Sequence, residues 1–117
     1  MAIVNADYSN LNIEEVANSI GIQATYMPKL VNSFLKESKK TLKILKTHIE
    51  DLDFQNIKMD IHSIKGSAGN LQFKEIHDMA REMELAALHE DKNFDYKGYR
   101  KAIKNAISTI KELKESN

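Results

Sequence analysis

The sequence predicts an all-α protein, an antiparallel up-and-down four-helix bundle with a short additional N-terminal helix. Three observations carry this. The 117 residues include one Pro and four Gly, with 42% apolar and 29% charged residues, so helix breakers are scarce and one domain fits the length. Four stretches of roughly 16–25 residues repeat apolar side chains at spacings of three, four and seven, and none alternates with period two. The connections near 50–53, 71–74 and 89–95 are too short to run back along a bundle, so successive helices are antiparallel.

The short helix begins near Asn12, which with Glu15 has the spacing of a capping box, and ends at Gly21, a C-terminal cap. The second runs from about Thr25 to Ile49 on Met27, Leu30, Val31, Phe34, Leu35, Leu42, Leu45 and Ile49. Pro28 sits in its first turn, where a missing N–H costs little. The third runs from about Asp53 to Leu71 on Phe54, Ile57, Ile61, Ile64, Ala68 and Leu71. The fourth runs from about Lys74 to His89, with Ile76, Met79, Ala80, Met83, Ala87 and Leu88 inward. The last runs from about Tyr96 to Glu115 behind an Asp95 cap, with Tyr99, Ile103, Ala106, Ile107, Ile110 and Leu113 inward. Residues 1–10 are read as an extension, flexible or linking, and 11–117 as the bundle domain.

Composition excludes several function classes. There is no Cys, so disulfide frameworks, thiolate metal sites and cysteine nucleophiles are absent. Lys plus Arg equals Asp plus Glu, 17 each, which argues against a general nucleic-acid binder. No apolar run reaches the roughly 18 residues of a membrane span, and no signal peptide opens the chain, so a cytoplasmic protein without membrane insertion is expected. The neutral total hides segregation: 28–47 holds six Lys and one Glu, 74–95 three basic and seven acidic residues, 97–117 six basic and two acidic. Blocks of this kind are expected to be solvated helix faces that pair with one another, the alternative being docking electrostatics.

The four histidines, His48, His62, His77 and His89, are the natural place to look for chemistry. A bundle metal centre needs Glu three residues before His, but Leu45, Met59, Lys74 and Ala86 stand there, and no two histidines lie four apart. No metal site is therefore expected, and no Gly-rich phosphate loop precedes a helix. His62 lies about 130° from the centre of its helix's apolar stripe and so faces outward. Its face carries Gln55, Lys58, Lys65, Gly66 and Gly69, with Met59 at the edge. Each of those glycines costs roughly 1 kcal/mol relative to Ala in a helix interior. Either the helix frays there, or a neighbouring helix packs closely on them, or side chains are absent so that something can approach His62. An exposed neutral imidazole is a nucleophile without an activating base. A lysine three residues on can stabilise negative oxygens attached to it.

The run His62-Ser63-Ile64-Lys65-Gly66-Ser67-Ala68-Gly69-Asn70-Leu71 closely resembles the signature of histidine phosphotransfer (HPt) domains, the helical intermediates of multistep two-component phosphorelays. The resemblance extends to Phe34-Leu35-Lys36-Glu37-Ser38 before it and Ala80-Arg81-Glu82-Met83-Glu84 after it, covering roughly 10–115. It implies His62 as phosphoacceptor, Lys65 as the contact to the phosphoryl group and Gly66 as the residue that keeps the approach open. It also implies a phosphocarrier without an ATP site of its own, expected as a monomer and needing no cofactor. Its partners would be receiver domains of response regulators, which supply Mg²⁺ and phosphoaspartate, and a sensor or hybrid histidine kinase. Gln55, Lys58, Met59, Gly69 and Asn70 would border the docking surface, unless Met59 packs on a neighbouring helix. His48, His77 and His89 would have no part in transfer. One departure stands out: the family usually has Gly ten residues after the His, where this chain has Gln72. Gln72 either takes another turn or presents its amide towards the site. Two other readings are a helical interaction module that is never phosphorylated, and the phosphoacceptor segment of a larger hybrid or chemotaxis-type kinase.

Overall fold

A computed structural model describes residues 3–114 as five α-helices with no strand among them. They are α1 (Ile13–Ile20), α2 (Met27–Glu50), α3 (Phe54–Asn70), α4 (Lys74–Leu88) and α5 (Tyr96–Ser108), with a 3-10 turn at Ala24–Tyr26. In the bundle, α2 neighbours α3, α3 packs on α4, α4 neighbours α5, and α5 returns to α2. The α3–α4 groove and the α2–α5 groove therefore lie on opposite sides.

Local chemistry sets the helix starts. The side chains of Asn12, Asp53 and Asp95 accept hydrogen bonds from the backbone N–H groups of Glu15, Asn56 and Gly98, satisfying donors that a helix leaves unpaired. The stops share one device. Beyond α1, α2, α3 and α4 a residue takes positive φ, and the two following or coincident N–H groups close back onto the last turn. Gly21 does this after α1, as expected. The other three positions are Leu52, Gln72 and Glu90, none of them glycine.

Buried side chains from α2 to α5 form one core, including Val31, Leu45, Ile57, Ile61, Met79, Met83 and Ile103. Phe73 is also fully buried, although it stands in the α3–α4 turn; it packs against the rings of Phe34 and Tyr8. Tyr8 further donates its hydroxyl to Glu75 and its backbone N–H to Thr109. Burial and the neighbouring Glu75 push the Tyr8 hydroxyl well above the ordinary tyrosine range.

Three expectations need correction. Leu30 and Leu88, assigned to the interior, are 41% and 54% exposed. Leu30 belongs to an outer stripe that continues seven residues apart through Glu37 and Ile44, and Leu88 lies one turn beyond Glu84 on its outward side. The last helix stops at Ser108, not at Glu115, which lies outside the described residues. There Thr109 turns its hydroxyl onto the carbonyl of Ala106, and Asn32 of α2 pairs with both the N–H and the carbonyl of Leu113. Backbone groups held by Asn32 are no longer available to a helix.

The third correction concerns charge. The ion pairs among the described residues are His48–Asp60, His62–Glu84, Lys65–Glu84 and His77–Asp78. None of these four joins the basic blocks to the acidic block. Helix order accounts for part of this: α5 lies beside the equally lysine-rich α2 as well as beside the acidic α4, so the two basic helices share one groove.

Candidate functional site

His62 sits midway along α3, with its side chain 67% exposed. The buried stripe Ile57, Ile61, Ile64 and Ala68 anchors the helix and fixes which face points out. Met59, one turn before His62, is 61% exposed, so it does not pack on a neighbouring helix. Gln55 and Asn70 are exposed as well, while Lys58 is half-buried.

The two glycines of this face part company. A Cβ built at Gly66 meets nothing within 4 Å, so the protein's own packing does not require glycine there. At Gly69 a Cβ would lie 3.0 Å from Cδ2 of His77 on α4. The helix continues through both to Asn70 and does not fray there; Gly69 is the close-packing glycine, and Gly66 is the open one. Gln72 does not take another turn: it holds φ 65°, the left-handed conformation that glycine favours, donates its N–H to the Gly69 carbonyl, and is exposed.

Sequence reasoning missed one residue. Glu84 of α4 accepts from His62 Nδ1 at 2.6 Å through one carboxylate oxygen, and from Lys65 Nζ at 2.6 Å through the other. A signal for it was present. Glu84 and His62 each stand eleven residues from Phe73, on opposite sides of the α3–α4 turn, so closing the hairpin brings them face to face. Gly69 and His77, each four residues from Phe73, meet by the same symmetry.

Burial pushes the Glu84 carboxyl up, but the hydrogen bonds from Lys65 and His62 outweigh it and hold the group below its usual range. Glu84 is thus a carboxylate that can only accept, so the proton of a neutral His62 must sit on Nδ1. The lone pair is then on Nε2, which has no partner among the described residues. An oriented imidazole with its basic nitrogen outward, a cation one turn away, and no side chain at Gly66 form a nucleophile open to a large reactant.

The Hpt domain family model matches residues 29–113, from the first turns of α2 past the end of α5, with His62, Lys65 and Glu84 inside the match. The chain belongs to the Hpt domain family. Comparison with curated proteins and comparison with solved structures each return no match. Hpt domains are histidine phosphotransfer modules of two-component systems, phosphocarriers rather than enzymes with turnover of their own. Among the described residues of this Hpt domain no group of three or more His, Asp or Glu could hold a metal ion. No described helix is long and apolar enough to cross a membrane.

Proposed function

We propose that this Hpt domain is a phosphorelay intermediate in which His62 takes a phosphoryl group from the aspartate of one receiver domain and gives it to another. The observation that carries the reading is the His62–Glu84 hydrogen bond on an otherwise exposed ring. In the forward step Nε2 attacks phosphorus in line. The Nε2–P bond forms as the acyl phosphate P–O bond breaks, and the receiver aspartate leaves as a carboxylate. The ring keeps its Nδ1 proton and gains positive charge, which the Glu84 carboxylate faces directly. Return transfer runs the same path backwards.

Lys65 is the group placed to meet the phosphoryl oxygens. In the unphosphorylated protein its ammonium rests on Glu84. Shifting it to a phosphoryl group on Nε2 leaves Glu84 to the ring alone, so Lys65 and the ring exchange partners without creating an unpaired charge. Gly66 leaves the receiver's loops room beside the ring. Gln55, Lys58, Met59 and Asn70 border the docking face, with Met59 as its apolar contact. The receiver brings Mg²⁺ and the phosphoaspartate, and this chain supplies neither cofactor nor ATP site.

The test is incubation with receiver domains carrying labelled phosphoaspartate. Label should move to this protein, be acid-labile as a phosphorus–nitrogen bond requires, and be absent from His62→Gln of unchanged helicity. Labelling of that variant would remove His62 from the reaction. Absence of transfer from every receiver, with transfer from an ATP-bound kinase domain instead, would favour the larger-kinase reading.

A further inference from the structure

The side of the bundle opposite His62 carries a feature that phosphotransfer does not use. Three contiguous hollows of about 850, 360 and 440 Å³ run along the α2–α5 groove. The first two share Lys39, Ile107 and Ser108, and the last two share Lys46, Arg100 and Lys104. Ten Lys and Arg side chains line this groove against three carboxylates, Glu37, Glu50 and Glu112. With 17 of each sign in the whole chain, 7 basic and 14 acidic residues remain elsewhere. A neutral protein is thus divided into a +7 groove and a −7 remainder.

The groove's cations are not neutralised from within. Among the described residues none of them forms an ion pair, although Arg100 donates to the Leu42 carbonyl. Their spacing is regular. Lys29, Lys36 and Lys43 stand seven apart along α2, and Lys97, Lys101 and Lys104 follow at four and three along α5. Two cationic rails therefore flank a concave floor formed by Leu42, Ile49, Ile107 and Ile110.

This shape selects among anionic partners. A lipid surface is flat and is gripped by protruding apolar residues, but the apolar residues here are buried at the bottom of a furrow. Single-stranded nucleic acid is held by aromatic stacking platforms, and no aromatic residue lines these hollows. An α-helix is about 10–12 Å across and repeats side chains at three, four and seven, the spacing of both rails. We propose that the α2–α5 groove docks an acidic amphipathic helix of a partner protein, with its apolar stripe on the floor and its carboxylates on the lysine rails. Because the groove and the His62 face lie on opposite sides, the module can stay tethered there while receivers exchange at His62.

The test uses the full chain and a fluorescent 18-residue peptide with leucines at helical spacing flanked on both sides by glutamates. Comparison probes are a peptide of the same composition in scrambled order, a single-stranded oligonucleotide of similar charge, and phosphatidylglycerol vesicles. Anisotropy should show the patterned peptide binding at least tenfold tighter than the scrambled one. Amide NMR shifts should fall along α2 and α5. The triple variant Lys36→Glu, Lys43→Glu, Lys104→Glu should weaken binding at least tenfold with its thermal melt unchanged; if charge reversal disturbs folding, the Gln triple serves instead. Saturation with peptide should leave any labelling of His62 unaltered. Equal affinity for the scrambled peptide, shifts centred on His62, or tighter binding of vesicles or oligonucleotide would each overturn the proposal. The binding readout does not depend on phosphotransfer, so its failure is distinct from failure of that reading.

Discussion

Replacing Glu84 by Gln tests the site most directly, because it removes one charge and keeps the side chain's length. During attack through Nε2 the His62 ring gains positive charge, 2.6 Å from a Glu84 oxygen. Coulomb attraction at that distance is about 1.6 kcal/mol in water and about 6 kcal/mol at an effective dielectric of about 20. The ring is 67% exposed, which places the interaction near the lower end. About 2 kcal/mol of transition-state stabilisation corresponds to a rate loss of about 30-fold. A Gln amide oxygen still accepts from Nδ1, so part of the tautomer bias survives. Glu84→Ala loses both effects and should fall further, by about 100-fold or more, since an orienting carboxylate also holds the imidazole in its reactive tautomer.

The assay is rapid-quench transfer from an excess of phosphorylated receiver, with ring-nitrogen NMR reporting the tautomer. Glu84→Gln also frees Lys65, which acts in the opposite direction. The double variant Lys65→Met, Glu84→Gln separates the two contributions. A rate for Glu84→Gln within threefold of the parent, in the Lys65→Met background as well, would refute the role given to Glu84.

Further outcomes follow from the turns and glycines. Gln72→Gly should stabilise the fold by about 1 kcal/mol, since only glycine takes positive φ without a Cβ penalty, and should raise Tm by about 4 °C in a thermal melt. Gly66→Ala should raise helix stability by up to about 1 kcal/mol because its Cβ enters open space, whereas Gly66→Phe should weaken receiver binding with folding intact. Gly69→Leu should cost about 1–3 kcal/mol in urea melts, because the added side chain must displace the His77 ring. In acid the Glu84 contribution disappears. A carboxyl whose folded value is depressed stabilises the fold above its ordinary 4.5 and loses that effect as pH falls through the lowered value. Urea melts from pH 6 to 3 should therefore show the gap between parent and Glu84→Gln closing below pH 4.5; a constant gap would contradict this.

The bundle was legible because its signals are periodic and local. The apolar stripe of α3 and the Asn12, Asp53 and Asp95 positions depend on residues a few places apart. Errors arose where a longer-range partner decided the outcome. Asn32, 81 residues away, ends the helix before Leu113. Phe73 looked like a connection and proved fully buried, because Tyr8 and Phe34 close over it. Of the site, His62, Lys65 and Gly66 were visible as a spacing on one helix, but Glu84 needed the hairpin to be closed. The charge blocks failed for a related reason: α4 and α5 do become neighbours, but a sum along the sequence carries no information about which side chains of adjacent helices meet.

The glycines bring these strands together. Three turns demand positive φ and have Leu52, Gln72 and Glu90, each at a cost that glycine would remove. Two glycines stand instead inside α3, where each also costs stability. If stability alone governed placement, these assignments would be reversed. Gly69 is accounted for by the approach of His77. Gly66 is not, since its surroundings are empty and an alanine would fit. What remains to explain it is its position, one turn beyond an outward-facing histidine whose proton Glu84 holds on the inner nitrogen. A bare helix surface there serves a molecule that arrives from outside, and this is the sense in which a fold-level cost at Gly66 supports the phosphocarrier reading.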